Sequence, residues 1–268
     1  MIKDITLGQY FPGNSVIHKI DPRMKIIIVL LFIISVFFAS NSLSFALLLL
    51  GVILTCLISR ISAKILLKSL KPIIFIAAFT AFFNIFFTVG DHLLLSFWII
   101  NIYLEGIENA VFMVIRIVSL VMGTSVLLTY TTSPVELTDG LERLLSPLNK
   151  IKVPVHVFAM MMTLALRFIP TLIEETDKIM SAQKARGADF ESGSLAKRIK
   201  AIIPIIIPLF FSSFRRAEEL ATAMDCRLYR GGEGRTKMKV LHLKVLDFFA
   251  LLIMIVFLAV LIGAGYVG

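Results

Sequence analysis

At 268 residues, 58% of them hydrophobic and only 17% charged, with a mean hydropathy of +0.91, the chain carries more apolar surface than a soluble domain of this length buries. That excludes a water-soluble enzyme or binding module and predicts an all-α polytopic membrane protein. The formal net charge of +9 does not require a nucleic-acid partner, because cytoplasmic cations beside anionic lipid account for it.

Residues 1–23 are polar, include Pro12, Gly13 and Asn14, and lack the order of a cleavable signal peptide, so they read as a cytoplasmic N-terminal segment. Asp21 suits a helix N-cap and Pro22 a first helical position. The apolar runs Lys25–Phe38 and Leu43–Ile58, joined by "ASNS", predict a tight helical hairpin. Both are short of the roughly 20 residues that cross a bilayer core of about 30 Å. Pro72–Val89 and Ile107–Thr129 complete a four-helix transmembrane region over 24–129. The 90–106 loop between them holds Trp98 and Tyr103, residues suited to a membrane interface. Arg116 lies inside the fourth span, where it snorkels, pairs within the bundle or faces a polar crevice; the sequence leaves all three open.

Residues 130–245 contain two further apolar runs that fail as spans. "VHVFAMMMTLALRFIP" (155–170) ends in a proline, and "AIIPIIIPLFFSSF" (201–214) is short and holds Pro204 and Pro208. If both crossed, Lys178, Lys184, Arg186, Lys197, Arg198 and Lys200 would lie outside, against the positive-inside bias. The region is therefore assigned to the cytoplasmic side. Ser133 and Glu136 form a capping box for a shorter amphipathic helix, "VELTDGLERLLSPL", ending near Pro147. Each apolar run then continues into a charged helical stretch, giving long helices from about Val155 to Arg186 and from about Leu195 to Tyr229. At 1.5 Å per residue each is roughly 45–50 Å long, with kinks expected at Pro170 and at Pro204/Pro208. Gly187 and Gly231-Gly232 are the expected stops. A last span, Leu246–Ala264, falls within the C-terminal segment 246–268.

The cations fix an orientation. Four lie in 1–25, four in 59–71 and eighteen in 130–245, with Arg116 the remaining one. Five spans with a cytoplasmic N-terminus and an extracytoplasmic C-terminus follow.

The two long helices each end in an arginine, Arg186 and Arg227, 41 positions apart. A cation at a helix C-terminus is favoured by the macrodipole, by about 0.3–1 kcal/mol when exposed. That explains one arginine. Two matched tips, one flanked by the small Ala185 and Gly187, point to a lever whose guanidinium grips a carboxylate on a cytosolic partner by a two-pronged hydrogen bond.

These tips resemble the two Ala-Arg-Gly motifs of the transmembrane T component (EcfT) of energy-coupling factor transporters. The first motif is complete as Ala185-Arg186-Gly187. The second stands as Cys226-Arg227-Leu228, keeping the arginine and neither neighbour. "GQYFPGNSVIHKIDPRMK" (8–25) is similar to the family's opening, with Gly8, Tyr10, Pro12-Gly13, Ser15, His18 and Asp21-Pro22-Arg23, and "YRGGEGRT" (229–236) to its stretch after the second motif. The resemblance implies a subunit of a bacterial plasma-membrane transporter that is not itself an enzyme. It holds two cytosolic ABC-type ATPase subunits, one at each arginine-bearing helix, and a membrane-embedded substrate-binding S component. Arg186 and Arg227 would each pair with an acidic residue of an ATPase.

"GGEGRT" is not a phosphate loop, since Tyr229 stands where the first glycine is needed and Arg235 replaces the lysine. His18, His92, His156 and His242 are scattered and no CxxC exists, so neither a metal nor another cofactor is expected, and Cys56 and Cys226 are read as unpaired. Met160, Met161 and Met162 are read by default as core packing, or else as an adaptable surface for more than one S component. Arg215-Arg216 and Glu218-Glu219 read as solvated charges. Two other classes compete. An autonomous secondary transporter lacks support, because no acid at mid-membrane depth and no internal repeat is found. A membrane enzyme lacks a Ser/His/Asp, HExxH or paired-carboxylate constellation. A vitamin-type substrate is favoured over a dedicated transition-metal role.

Overall fold

A computed structural model of the chain describes residues 10–97, 100–190, 194–231 and 241–267. In chain order it contains α1 (Pro22–Phe38), α2 (Ser42–Ser59), α3 (Ala63–Phe87), β1 (Leu93–Phe97), β2 (Ile100–Tyr103), α4 (Leu104–Thr124), α5 (Pro134–Leu145), α6 (Val155–Ala185), α7 (Leu195–Cys226) and α8 (Val245–Val267). The described residues divide into two compact units, a bundle of 10–143 with 241–267 and a second unit of 144–231.

α1 is the centre of the bundle. Met24, Ile28, Phe32 and Val36 recur every fourth position, all buried, which puts one continuous apolar stripe on the helix. That stripe joins a core with Phe45, Leu48 and Val52 of α2, Val126 and Leu127 beyond α4, and Met254 and Leu261 of α8. Gly123 in α4 lets the Phe32 ring through, since a β-carbon there would run into the ring. The outer faces are apolar as well. α3 buries only Leu66 and Ala77 and leaves Ile74, Phe75, Phe79 and Phe82 exposed. Such a surface suits hydrocarbon and no aqueous solvent.

Five helices are long and apolar enough to cross a membrane: α2, α3, α4 with its continuation to Thr129, α6 and α8. The number matches the sequence expectation, but the membership differs. α1 has 17 residues, about 25 Å of helix, and falls short of the bilayer core on its own. α6 qualifies because its first half is apolar, although its second half is charged. Pro170, Pro204 and Pro208 all remain inside uninterrupted helices rather than ending them. The 90–106 connection is not an irregular loop: β1 and β2 pair antiparallel, Phe97 opposite Ile100 and Ser96 opposite Asn101. Tyr103 is the last residue of β2; Trp98 and its expected interfacial role lie outside the described residues.

Arg116 resolves one of the open alternatives by pairing within the bundle. Its Nη2 donates to the Ala39 carbonyl at 2.8 Å, and its guanidinium lies 5.3 Å from the Phe45 ring, which stacks on Phe112. Ala39 caps the C-terminus of α1, where a cation is favoured.

The far end of the bundle is a polar knot. Asp21 accepts the Arg23 N–H at 2.9 Å and Pro22 takes the first helical position, as the sequence suggests. Burial opposes ionisation of Asp21, but hydrogen bonds from the Arg23 side chain and backbone, with the nearby Arg23 and Arg143 charges, hold its carboxyl below the usual range. Lys25, 2% exposed, donates to the Thr131 carbonyl at 2.8 Å and to the Thr131 and Thr132 hydroxyls at 3.3 and 3.0 Å. All three ammonium protons thus have acceptors. Asp247, fully buried, accepts the Asp21 N–H at 2.8 Å and the Lys244 N–H at 2.6 Å. The signs obey the helix dipoles, with carboxylates at the N-termini of α1 and α8 and an ammonium beyond the C-terminus of α4.

Between α4 and α5 the chain makes a wide π turn, Ser125–Thr129. Ser133 Oγ accepts the Glu136 N–H at 3.2 Å, the capping half of the expected box. α5 reads PVELTDGLERLL, runs to Leu145 and continues as a 3-10 turn, Ser146–Ile151.

Candidate functional site

The second unit is built on α6 and α7, 31 and 32 residues long. Their bounds agree closely with the two long helices read from the sequence. They touch each other where Arg216 Nη2 of α7 donates to Glu175 Oε2 of α6 at 3.1 Å. Arg216 thus has a partner across the helices, while its side chain stays 39% exposed. Arg186 lies eleven residues beyond Glu175, and Arg227 eleven beyond Arg216 (186 less 175, 227 less 216). Each arm from brace to tip is thus about 16 Å of helix.

The two tips share one backbone motif. At the first, the Gly187 N–H donates to the Lys184 carbonyl and the Ala188 N–H to the Gln183 carbonyl, both at 3.0 Å. At the second, the Leu228 N–H donates to the Asp225 carbonyl at 2.9 Å and the Tyr229 N–H to the Met224 carbonyl at 3.0 Å. Both are Schellman turns, in which the residue after the arginine adopts the left-handed conformation. Gly187 does so at φ +86 and Leu228 at φ +55. The left-handed residue that stops α7 is therefore Leu228, three residues before the expected Gly231. The chain corrects the sequence reading here because nothing about a leucine announces a left-handed turn.

Arg186 and Arg227 are both exposed, as are Ala185, Gly187, Cys226 and Leu228. Neither guanidinium meets an acid among the described residues. A β-carbon on Gly187 would have no atom within 4 Å, so the space beside that tip is open to a partner. The structure thus gives the incomplete motif Cys226-Arg227-Leu228 the same shape as the complete one. Leu228→Gly relieves a left-handed leucine that costs about 1–2 kcal/mol, against about 0.5–1 kcal/mol for glycine's extra freedom. Slower amide exchange at Leu228 and Tyr229 is expected, and faster exchange would contradict it.

The methionine run lies in the first turns of α6. Met160 is half-buried while Met161 and Met162 are exposed, so plain core packing does not describe them. On α7, Ile202, Ile203, Ile206, Phe210, Phe211 and Phe214 are exposed too. Of "YRGGEGRT", only Tyr229 to Gly231 fall within the described residues.

Comparison with known proteins now decides the family. The family described as CbiQ, cobalt transport protein, matches residues 13–238. The chain is 52% identical over 261 residues to the energy-coupling factor transporter transmembrane protein EcfT of Clostridium kluyveri, covering 97% of this chain and 96% of that one. The chain belongs to the EcfT family. A relative of the same description from Ruminiclostridium cellulolyticum is 52% identical over 267 residues, covering 100% of this chain and 99% of that one. Another, from Bacillus subtilis, is 48% identical over 241 residues, covering 90% and 91%. An EcfT-family chain is a multi-pass membrane component of a bacterial energy-coupling factor transporter.

The sequence did not mark Glu175, Lys25 or Asp247 as partners of anything. A lysine four residues into an apolar helix and an acid three residues into another are the signals that were available.

Proposed function

We propose that this chain is the coupling subunit of an ATP-driven uptake complex. Arg186 and Arg227, with Ala185, Gly187, Cys226 and Leu228 around them, each seat on a carboxylate of one of two ABC-type ATPase subunits. α6 and α7 carry the displacement of those ATPases to a membrane-embedded S component, with Met160, Met161 and Met162 as a contact able to accept more than one such partner. ATP hydrolysis belongs to the ATPases, and this chain contributes no catalytic group. The observation that supports the reading is the pair of matched arms, alike in length, terminal turn and exposed guanidinium, and braced at equal distance from the tips. The cation distribution supports a cytoplasmic N-terminus, cytoplasmic tips and an extracytoplasmic C-terminus.

The transported class is a vitamin-type organic molecule, chosen by the S component. Exposed thioethers suit a surface shared among several partners. A dedicated metal-uptake role is the second reading, favoured by the cobalt-transport description of the matching family. Purifying the tagged chain from its own membrane and weighing what accompanies it tests both. Two ATPases and more than one S-type protein are expected; a single metal-uptake partner would favour the second reading. A membrane-impermeant thiol reagent adds a test of side. Exposed Cys226 should react only in opened cells, and labelling in intact cells would defeat the proposal.

A further inference from the structure

The polar knot lies within the bundle and ties three of its own segments together: the start of α1, the stretch before α5 and the stretch before α8. The outgoing passage begins at Thr131 and Thr132, directly before α5, and these are the two residues that hold the Lys25 ammonium. α5 then lies on the start of α1 so closely that a β-carbon on Gly140 would be 3.1 Å from Pro22 Cβ and 3.3 Å from the Arg23 nitrogen. The return passage is tied to the same few residues. Arg23 Nη2 donates to the Leu241 carbonyl at 3.1 Å, and Asp247 takes both the Lys244 and the Asp21 N–H groups.

We infer that Lys25 is the positioning residue of a force-bearing joint: it clamps the outgoing segment to α1, beside the Arg23 and Asp247 ties that hold the returning one, so that movement arriving through them displaces the bundle helices together. This rests on the coupling role proposed above. The burial of the ammonium argues for it. A charge that is 2% exposed, held by one carbonyl and two hydroxyls, cannot follow α5 if α5 slides, because each donor would lose its acceptor in a place that water does not reach. Movement of the connecting segments is then transmitted rather than absorbed locally. An apolar side chain of the same length fills the space but lets the segments slip. The wide turn Ser125–Thr129 just before Thr131 is a backbone feature that often marks functional positions, and it lies on the α4 side of the clamp.

The experiment reconstitutes the complete complex in liposomes and measures substrate taken up per ATP hydrolysed, for wild type and Lys25→Met. Both arginine tips are untouched, so ATPase recovery should equal wild type while uptake per ATP falls about tenfold, within the range for coupling mutations. An unchanged ratio in an assembled Lys25→Met complex overturns the inference. If Lys25→Met does not assemble, Thr132→Val, which removes one acceptor and keeps the shape, decides in its place: a lowered ratio supports the joint and an unchanged one overturns it. Failure of wild type itself to recover ATPases would instead overturn the coupling reading, and this inference with it.

Discussion

Replacing Arg186 and Arg227 together by glutamine is expected to abolish recovery of both ATPases and to reduce uptake to background, while the chain still inserts and folds. Truncating one partner of a buried charge pair typically costs about 2–5 kcal/mol, so each tip should lose about 30-fold or more in affinity. The fold should not respond, because both guanidiniums are exposed and neither meets an acid among the described residues. Glutamine is the sharper choice than glutamate, since an acid at a helix C-terminus adds its own dipole penalty of about 0.3–1 kcal/mol. Glutamate serves as the second variant, with repulsion added to the lost bond. Single variants should each release one ATPase and leave the other, since the tips are separate helix ends. Co-purification of the double glutamine variant at wild-type yield, with wild-type uptake, would remove the arginines from the mechanism. A useful internal comparison is Gly187→Ala. Its β-carbon meets nothing among the described residues, so the isolated protein should lose only about 1 kcal/mol of left-handed backbone preference. A much larger loss of ATPase binding would then report a partner's approach to that open side.

The arms were legible in the sequence because their ends are written in local chemistry. Lack of glycine and proline between Thr171 and Arg186 predicts an unbroken helix, and Gly187 predicts its stop. Asp21-Pro22 announces the start of α1 in the same way, and Ser133 that of α5. What stayed hidden depends on distant partners. The brace between Glu175 and Arg216 joins residues 41 apart, and Asp247 reaches Asp21 across 226 positions. No periodicity encodes such pairs. The turn at Leu228 was missed for another reason, since tertiary or capping demands override a leucine's preference without leaving a mark in composition. The choice of spans was only partly readable, as α1 and α6 lie on either side of the length and polarity that distinguish a crossing helix from a buried one. Arg116 was recognisable as anomalous, but its partner is a backbone carbonyl at Ala39, and carbonyls are present at every position.

Removing the Asp247 carboxylate should be the most damaging single change to the stability of the bundle. Asp247→Ala leaves the buried Asp21 N–H, and the N–H of the exposed Lys244, without their acceptor. The buried orphaned donor costs about 1–3 kcal/mol and the other at most as much, giving about 1–6 kcal/mol in all. The loss also strips the α8 N-terminus of its only first-turn acid and takes a counter-charge from the neighbourhood of Lys25. At about 2–4 °C per kcal/mol for a chain of this size, the thermal midpoint of the purified protein should fall by about 2–24 °C. Asp247→Asn keeps one oxygen acceptor but turns an amide N–H toward one of the two donors, so it should recover only part of the difference. Asp225→Ala, on an exposed residue of α7, should shift the midpoint by no more than about 1–2 °C. If Asp247→Ala melted with the wild type, the Asp21 and Lys244 N–H groups would have to find other acceptors, and the knot would not be what holds α8 to α1. A large drop for Asp247→Ala beside a small one for Lys25→Met would separate the two halves of the knot, with the carboxylate fixing the helices and the ammonium governing what passes through them.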